Sequence, residues 1–482
     1  MNKASLLVGT ILVTGCSTIR DATTPLEFDA VAPEAPEAWS GTPASETAEQ
    51  GDWLSGFNDP VLIELVTEAL ANNPTLDAQL ATREALFADA RGARGTLWPS
   101  INGNFDAGAS RTVQILAGET VDFQNAIYGI GVSAAWEIDL WGRLRAGVRL
   151  ADSELFIAEA DVANARLSTA AQTALAWINL NAAIAQERVA EATLEARQRT
   201  TTLTERRLAR GLSSALDVRL SRTTTFQAEA SLAASQQATE NAARALEILL
   251  GRYPSAEIQA PARLPALEPI GAALNPTALL SRRPDVAAAE GRVVSAGLRA
   301  EQARMALLPS LNITASYSSS QDRIDRAFDP EFFAQRAVAS LAAPLYAGGQ
   351  LRANRDAFIA RAEAALAQYA SAALTAWREV EDALAADGYL ERQETAQALA
   401  LEEAVEAEAL AERQYQNGLI SIFELIDAQT RRLNAEASLV TARSQRASNR
   451  IQYHLALGGG VPATYGGLPE DLAQAAIESD LP

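Results

Sequence analysis

The sequence predicts an α+β membrane protein built as a tandem duplication, each half giving two barrel strands plus long coiled helices. Three observations carry this. The word AEASL occurs at 228–232 and again at 435–439, an offset of 435 − 228 = 207 residues. Proline is absent from two long spans, 100–253 and 345–461. Residues that alternate apolar and polar occur in each half, at 128–138 and at 311–317.

The elements follow in order. The N-terminus, MNKASLLVGTILVTGCST, has a basic start at Lys3, an apolar core too short to cross a bilayer, and small residues before Cys16. That is the pattern of a cleavable signal peptide over residues 1–15. VTGC matches a bacterial lipobox, in which Cys16 takes a diacylglyceryl group and becomes the mature N-terminus; the alternative is an ordinary leader with an incidental cysteine. Ser17 follows where an inner-membrane retention signal has Asp, which favours the outer membrane. Residues 16–47, rich in Pro, Ala, Glu and Thr, read as an extended tether.

Proline breaks helix interiors, so the two proline-free spans are helical. The cluster Pro254, Pro261, Pro265, Pro269 makes 252–275 a linker between repeats at 48–251 and 276–458, ahead of a tail at 459–482. Corresponding words support the repeat: GRLRA at 142–146 lies over GQLRA at 349–353, and LWPSINGNF at 97–105 over LLPSLNITA at 307–315. Each half then has a helix, strands (about 99–138 and about 309–345) and a helical hairpin (about 143–251 and about 349–458). In YGIGVSAAWEID, Tyr128, Ile130, Val132, Ala134, Trp136 and Ile138 alternate with polar or small residues, and Leu311, Ile313, Ala315 and Tyr317 do the same. The strand at 333–345 alternates little and carries Arg336. A one-faced apolar strand of ~10 residues is the mark of a membrane barrel, and Trp98, Trp136, Trp141 and Tyr346 suit its interfacial girdle.

The helices are longer than a globular domain requires: 143–210 spans roughly 100 Å at ~1.5 Å per residue. Leu419, Ile422, Ile426, Leu433, Ala437, Val440 and Ala447 keep a coiled-coil spacing. Four strands do not close, and an open edge in lipid leaves backbone groups unsatisfied at several kcal/mol each. Copies must therefore pool strands; two, three or four copies would all serve.

LLSRRPDVAAAEGRVVSAGLRAEQARMALLPSLNITASYS at 279–318, PLYAGGQLRA at 344–353 and YQNGLISIFELIDAQTRRLNAEASL at 415–439 strongly resemble the TolC-like outer-membrane factors. The likeness is greatest to the lipidated branch serving resistance-nodulation-division efflux pumps, and it covers about 50–460. It implies a homotrimer with a twelve-stranded β-barrel in the outer membrane, continued by a periplasmic α-helical barrel. It also implies a mixed equatorial belt, here 48–60, the Pro-rich linker and the C-terminal end. The partners implied are a periplasmic adaptor (membrane fusion) protein, an inner-membrane pump of the same class and outer-membrane lipid.

The function expected is a passive exit duct for drugs, toxic compounds or metal ions. A formal charge of −20 argues against nucleic acid, because phosphate contacts need a basic face. One cysteine and one histidine leave no Cys/His metal cluster, and no carboxylate pair stands out as acid and base. No catalytic residue, metal or cofactor is expected, and His454 reads as structural. The alternatives are a duct for type I protein secretion and a trimeric coiled-coil surface structure.

Two sites are expected. The helix–helix turns Gly211, Leu212, Ser214 and Gly418, Leu419, Ser421 both read Gly-Leu-x-Ser; glycine permits a left-handed turn and serine caps the next helix. By the resemblance they form the tips that meet the adaptor; the bland alternative is capping alone. Phe423 and Asp427, four apart, share a helix face. The resemblance places them at an apolar ring and an aspartate ring of the pore gate, while Leu216 and Leu220 stand at their positions in the first half. Asp427 has a second reading, as the partner of Arg431 one turn on.

Overall fold

Proline at the first helical position and Asn or Asp just before it set the starts of most short helices. Asp59 accepts from Val61 and Leu62 N–H to open α1 (Pro60–Asn72), and Asn73 does the same for α2 (Pro74–Gly95). The computed structural model describes residues 36, 38–40, 44–45, 53–116, 119–270 and 273–459; the leader, Cys16 and residues 460–482 lie outside them. After α2 come β2 (Ser100–Leu116), β3 (Glu119–Ile138), α3 (Arg143–Ala209) and α4 (Ala215–Leu249). The second half runs α5 (Pro276–Arg282), α6 (Pro284–Met305), β5 (Ser310–Gln321), a short α7 (Ile324–Ala327), β6 (Ala334–Ala342), α8 (Gln350–Gln416) and α9 (Ile422–Ala456). Two-residue strands β1 (Ala44–Ser45) and β4 (Ala273–Leu274) pair in parallel and tie the N-terminal segment to the linker's end.

Three helix lengths are kept to the residue between the halves. α2 and α6 both have 22 residues, α3 and α8 both 67, α4 and α9 both 35.

The four long strands form one antiparallel sheet in the order β2-β3-β5-β6, so β2 and β6 are its edges. Register puts Ile101, Phe105, Val132, Trp136, Ile313, Tyr317 and Leu341 on one face. Ser100, Asn102, Asn104, Asp106, Ser133, Ser316, Arg336 and Ser340 share the other. The polar face is crowded at Gly131, where an added Cβ would come 2.6 Å from Ser318 Cβ. At the sheet's helix end the indole of Trp136 donates to Leu97 O (2.9 Å) and that of Trp141 to Pro309 O (2.7 Å).

Each strand runs on into its own helical column. α2 and α4 meet end to end, where Asn73 Nδ2 donates to Leu249 O (2.8 Å), and both flank α3. α6 and α9 meet where buried Arg283 donates to Ala456 O (2.9 Å) and pairs with Glu379 (2.7 Å) and Asp285 (2.7 Å). This second column lies between α3 and α8. The helical order, α2/α4, α3, α6/α9, α8, therefore copies the strand order. Small residues set the spacing: a Cβ on Gly291 would sit 2.7 Å from Ile157, and Ser153 Oγ donates to Gly291 O (3.1 Å).

The main apolar core girdles the middle of α3 and α8. Trp177 is buried among Leu62, Val66, Leu246, Leu250 and Ile451, with its indole on Asp59 (2.7 Å). Trp377 sits among Leu279, Val380, Tyr453 and Leu457. A buried Trp removes ~200 Å² from water, about 5 kcal/mol. His454 stacks on Trp53 (5.4 Å) within this region.

Two readings of the sequence are corrected here. Trp39, inside the expected tether, is buried against Leu279 and Trp377, and Ser40 N–H donates to Glu381 (2.9 Å), so packing begins before residue 48. The strand expected over 333–345 is Ala334–Ala342, because Pro344 cannot donate to a ladder and Gly348 and Gly349 take positive φ before α8.

Candidate functional site

The end of the molecule farthest from the sheet is made by the turns α3–α4 and α8–α9. In each, a glycine ends the long helix in the left-handed region: Gly211 and Gly418 both have φ of 74°. Leu212 N–H reaches back to Arg207 O (2.9 Å), and Leu419 N–H to Gln414 O (2.9 Å), the bonding of a glycine-terminated helix.

Serine opens the helix that follows, as its residue type predicts. Ser214 Oγ accepts from Asp217 N–H (3.1 Å) while Asp217 accepts from Ser214 N–H (2.8 Å). Glu424 accepts from Ser421 N–H (2.7 Å) and Oγ (2.8 Å). The Ser214 N–H holds the Asp217 carboxyl below the usual carboxylate range, and the Ser421 N–H does so for Glu424.

Apolar side chains project from both turns. Leu212 and Leu216 are exposed on the first, and Leu419 and Phe423 occupy the same places, 207 residues on, in the second. Ile422 and Leu425 turn the other way, into a core with Ala411 and Tyr415. Asp427 pairs with Arg431 (2.7 Å) on the exposed surface of α9. The structure thus brings Phe423 and Asp427 to one exposed face and gives the Asp427 carboxylate its second reading's partner.

Sequence reasoning missed the residues that join the hairpins. Arg207 of α3 donates to Tyr415 O (2.7 Å) and stacks over the Tyr415 ring (4.8 Å), while the Tyr415 hydroxyl meets Thr204 Oγ1 (3.1 Å). About 15 Å up the bundle, buried Arg197 donates to Gln429 Oε1 (2.8 Å) and Thr430 Oγ1 (2.8 Å). Gln429, fully buried, donates in turn to Thr200 Oγ1 (3.0 Å). Beside them Glu408 pairs with Arg432. Burial pushes the Arg197 guanidinium down, opposed by Glu408, and pushes Glu408 up, opposed by Arg432. The two halves diverge here: Arg222, which occupies the position of Gln429 in the first half, pairs instead with Glu205 (2.7 Å) of its own hairpin. No signal in one helix's periodicity identifies such a cross-hairpin pair. Among the described residues no group of His, Cys, Asp or Glu is arranged to hold a metal.

A family model described as outer membrane efflux protein matches residues 65–252 and 275–459. The pyoverdine export outer membrane protein OpmQ of Pseudomonas aeruginosa is 31% identical over 473 residues, 95% of this chain and 97% of its own. The outer membrane protein OprJ of the same species is 30% identical over 436 residues, covering 89% and 91%. Among solved structures, the open state of the MtrE outer membrane channel of Neisseria gonorrhoeae aligns with a TM-score of 0.77 at 26% identity, over 92% of this chain and 99% of that one.

The buried pair and the exposed pair make opposite predictions. Arg197→Ala leaves buried Gln429 Oε1 without its donor and removes the bond to Thr430, and is expected to cost about 2–4 kcal/mol. Arg222→Ala removes a pair half open to water and is expected to cost about 0–1 kcal/mol. Denaturant unfolding followed by helical circular dichroism compares them; equal losses would contradict the asymmetry between the hairpins.

Proposed function

The chain belongs to the outer membrane efflux protein family, and from that premise we propose how its parts make an exit duct. It is an outer-membrane channel component with a large periplasmic helical part, and not an enzyme. One observation carries the proposal: a four-stranded sheet, apolar on one face and polar on the other, has two unpaired edges and leads strand by strand into four helical columns. Three copies pool these into a twelve-stranded barrel over a tunnel of twelve columns. Apolar faces meet lipid and the polar face lines the lumen. Cys16 supplies an acyl anchor in the inner leaflet of the outer membrane.

The partners are a periplasmic adaptor and an inner-membrane pump of the resistance-nodulation-division class. The cargo is small molecules: OpmQ is named for pyoverdine export and TtgC of Pseudomonas putida for toluene efflux, and these names favour efflux over type I protein secretion.

The gate lies at the far end of the second hairpin. Three Phe423 rings form an apolar constriction that resists wetting, and three Asp427 carboxylates one turn on favour cations in the pore. Arg431 on each Asp427 tempers the repulsion among them. In planar bilayers, Phe423→Ala is expected to raise single-channel conductance and Asp427→Asn to weaken cation selectivity. Wild-type current and selectivity in both variants would remove the gate from these residues.

The turns Gly211–Leu212–Ser214 and Gly418–Leu419–Ser421 form the tips that dock the adaptor, with Leu212 and Leu419 as apolar knobs on rigid caps. A photo-reactive residue at 212 or 419 is expected to cross-link the adaptor in cells. Crosslinks at neither position, with efflux intact, would reduce both turns to helix caps.

A further inference from the structure

The connection from β5 to β6 folds back over the sheet's apolar face. α7 packs on β3 and β5, and the Pro330–Phe332 turn packs on β5. Phe328 stacks on Phe105 (6.3 Å) and Phe333 on Tyr317 (4.6 Å), both partners on the apolar face. Beneath the segment Ala327 is fully buried and Ser319 is 2% exposed. Much of the segment's apolar surface is still bare: Ile324 is 51% exposed, Phe328 55% despite its stack on Phe105, and Phe332 42%. A loop that only closed a turn would leave that much aromatic surface in water at a cost of a few kcal/mol.

Its height along the strands says what covers it. Ser319 pairs with Ile130, which pairs with Phe105, and this row lies nine residues above Ser310, where β5 begins. Nine residues are about 30 Å of strand, and about 23 Å of height at a tilt of ~40°. A membrane barrel's apolar band is ~25 Å tall. The loop therefore lies where the band ends on the exterior side, opposite the girdle of Trp98, Trp136, Trp141 and Tyr346 at the helix end.

We propose that residues 324–332 form a lipid-binding collar on the barrel's outer wall, seated in the acyl-chain boundary of the outer leaflet. The collar continues the lipid face of the sheet, so this rests on the barrel reading above. Its charges close on themselves: Arg323 pairs with Asp325 (2.9 Å) and Arg326 with Asp322 (3.4 Å). It thus offers no cationic hook for lipid phosphates, and its contact is with hydrocarbon, as for other interfacial aromatics. Three copies around the barrel fix its depth from outside, where the tunnel provides no support.

Spin labelling of full-length protein in phospholipid vesicles tests this, in a Cys16→Ser background so that each introduced thiol is unique. Labels are placed by Ile324→Cys, Phe328→Cys and Phe332→Cys on the collar and by Glu331→Cys on its exposed rim. Val132→Cys on the apolar face and Ser133→Cys on the polar face serve as references; Ile324 takes part in no ring stack, so its variant keeps the loop intact. The collar labels are expected to follow position 132, with high accessibility to oxygen and several-fold lower accessibility to an aqueous nickel chelate than at 133 and 331. Collar labels as open to nickel as 133, with 132 still shielded, would overturn the collar alone. A nickel-accessible 132 would overturn the barrel reading and the collar with it.

Discussion

Unpaired strand edges cannot face hydrocarbon. Each bare N–H or C=O there costs several kcal/mol, and this protein's sheet, ordered β2-β3-β5-β6, has two such edges. Everything larger follows from supplying them with partners. β6 of one copy must find β2 of another, and the circle must close. Because each strand feeds a helical column in the same order, closing the sheet also closes the tunnel. A single constraint on backbone hydrogen bonds in lipid therefore organises a helical assembly some 100 Å long.

The duplication lets one chain present that arrangement twice. Helix lengths of 22, 67 and 35 residues recur unchanged, and the far-end turns recur down to glycine φ and exposed leucine. The halves differ in strand length, 17 and 20 residues against 12 and 9, and in their polar pairings. Arg222 holds its own hairpin through Glu205, whereas Gln429 faces Arg197 across to the other hairpin. Further up, Arg443 and Arg446 both pair with Glu394 (3.2 and 3.1 Å) and Arg450 with Asp387 (3.4 Å), lacing α9 to α8. The second hairpin is bound by charge on both sides, and it is the one that carries Phe423 and Asp427.

Much of this was legible in the sequence because it depends on local chemistry. Proline-free alanine-rich spans declare helix, Gly-Leu-x-Ser declares a turn with its cap, and alternation at Tyr128–Ile138 declares a strand with one apolar face. What escaped depends on contacts between distant segments. Nothing near Trp39 announces a pocket formed by Leu279 and Trp377 more than 200 residues away. Arg197 looks like any other arginine of an Arg-rich helix until Gln429 and Thr430 stand opposite it. Phe328 and Phe333 sit in a Pro- and Asp-containing connection that reads as an exposed loop, and only the fold lays them on the apolar face beside Phe105 and Tyr317. The gate residues are a middle case: spacing put Phe423 and Asp427 on one face and offered Arg431 as a partner for the carboxylate, and the structure forms that pair.

The central claim is that edge pairing fixes a closed assembly of three chains, and native mass spectrometry of the complex extracted from outer membranes tests it most directly. The account predicts a particle of three identical subunits, each beginning at Cys16 and carrying acyl chains. An unacylated trimer would remove only the anchor. A stable folded monomer, or a complex of two or four chains, would contradict the account.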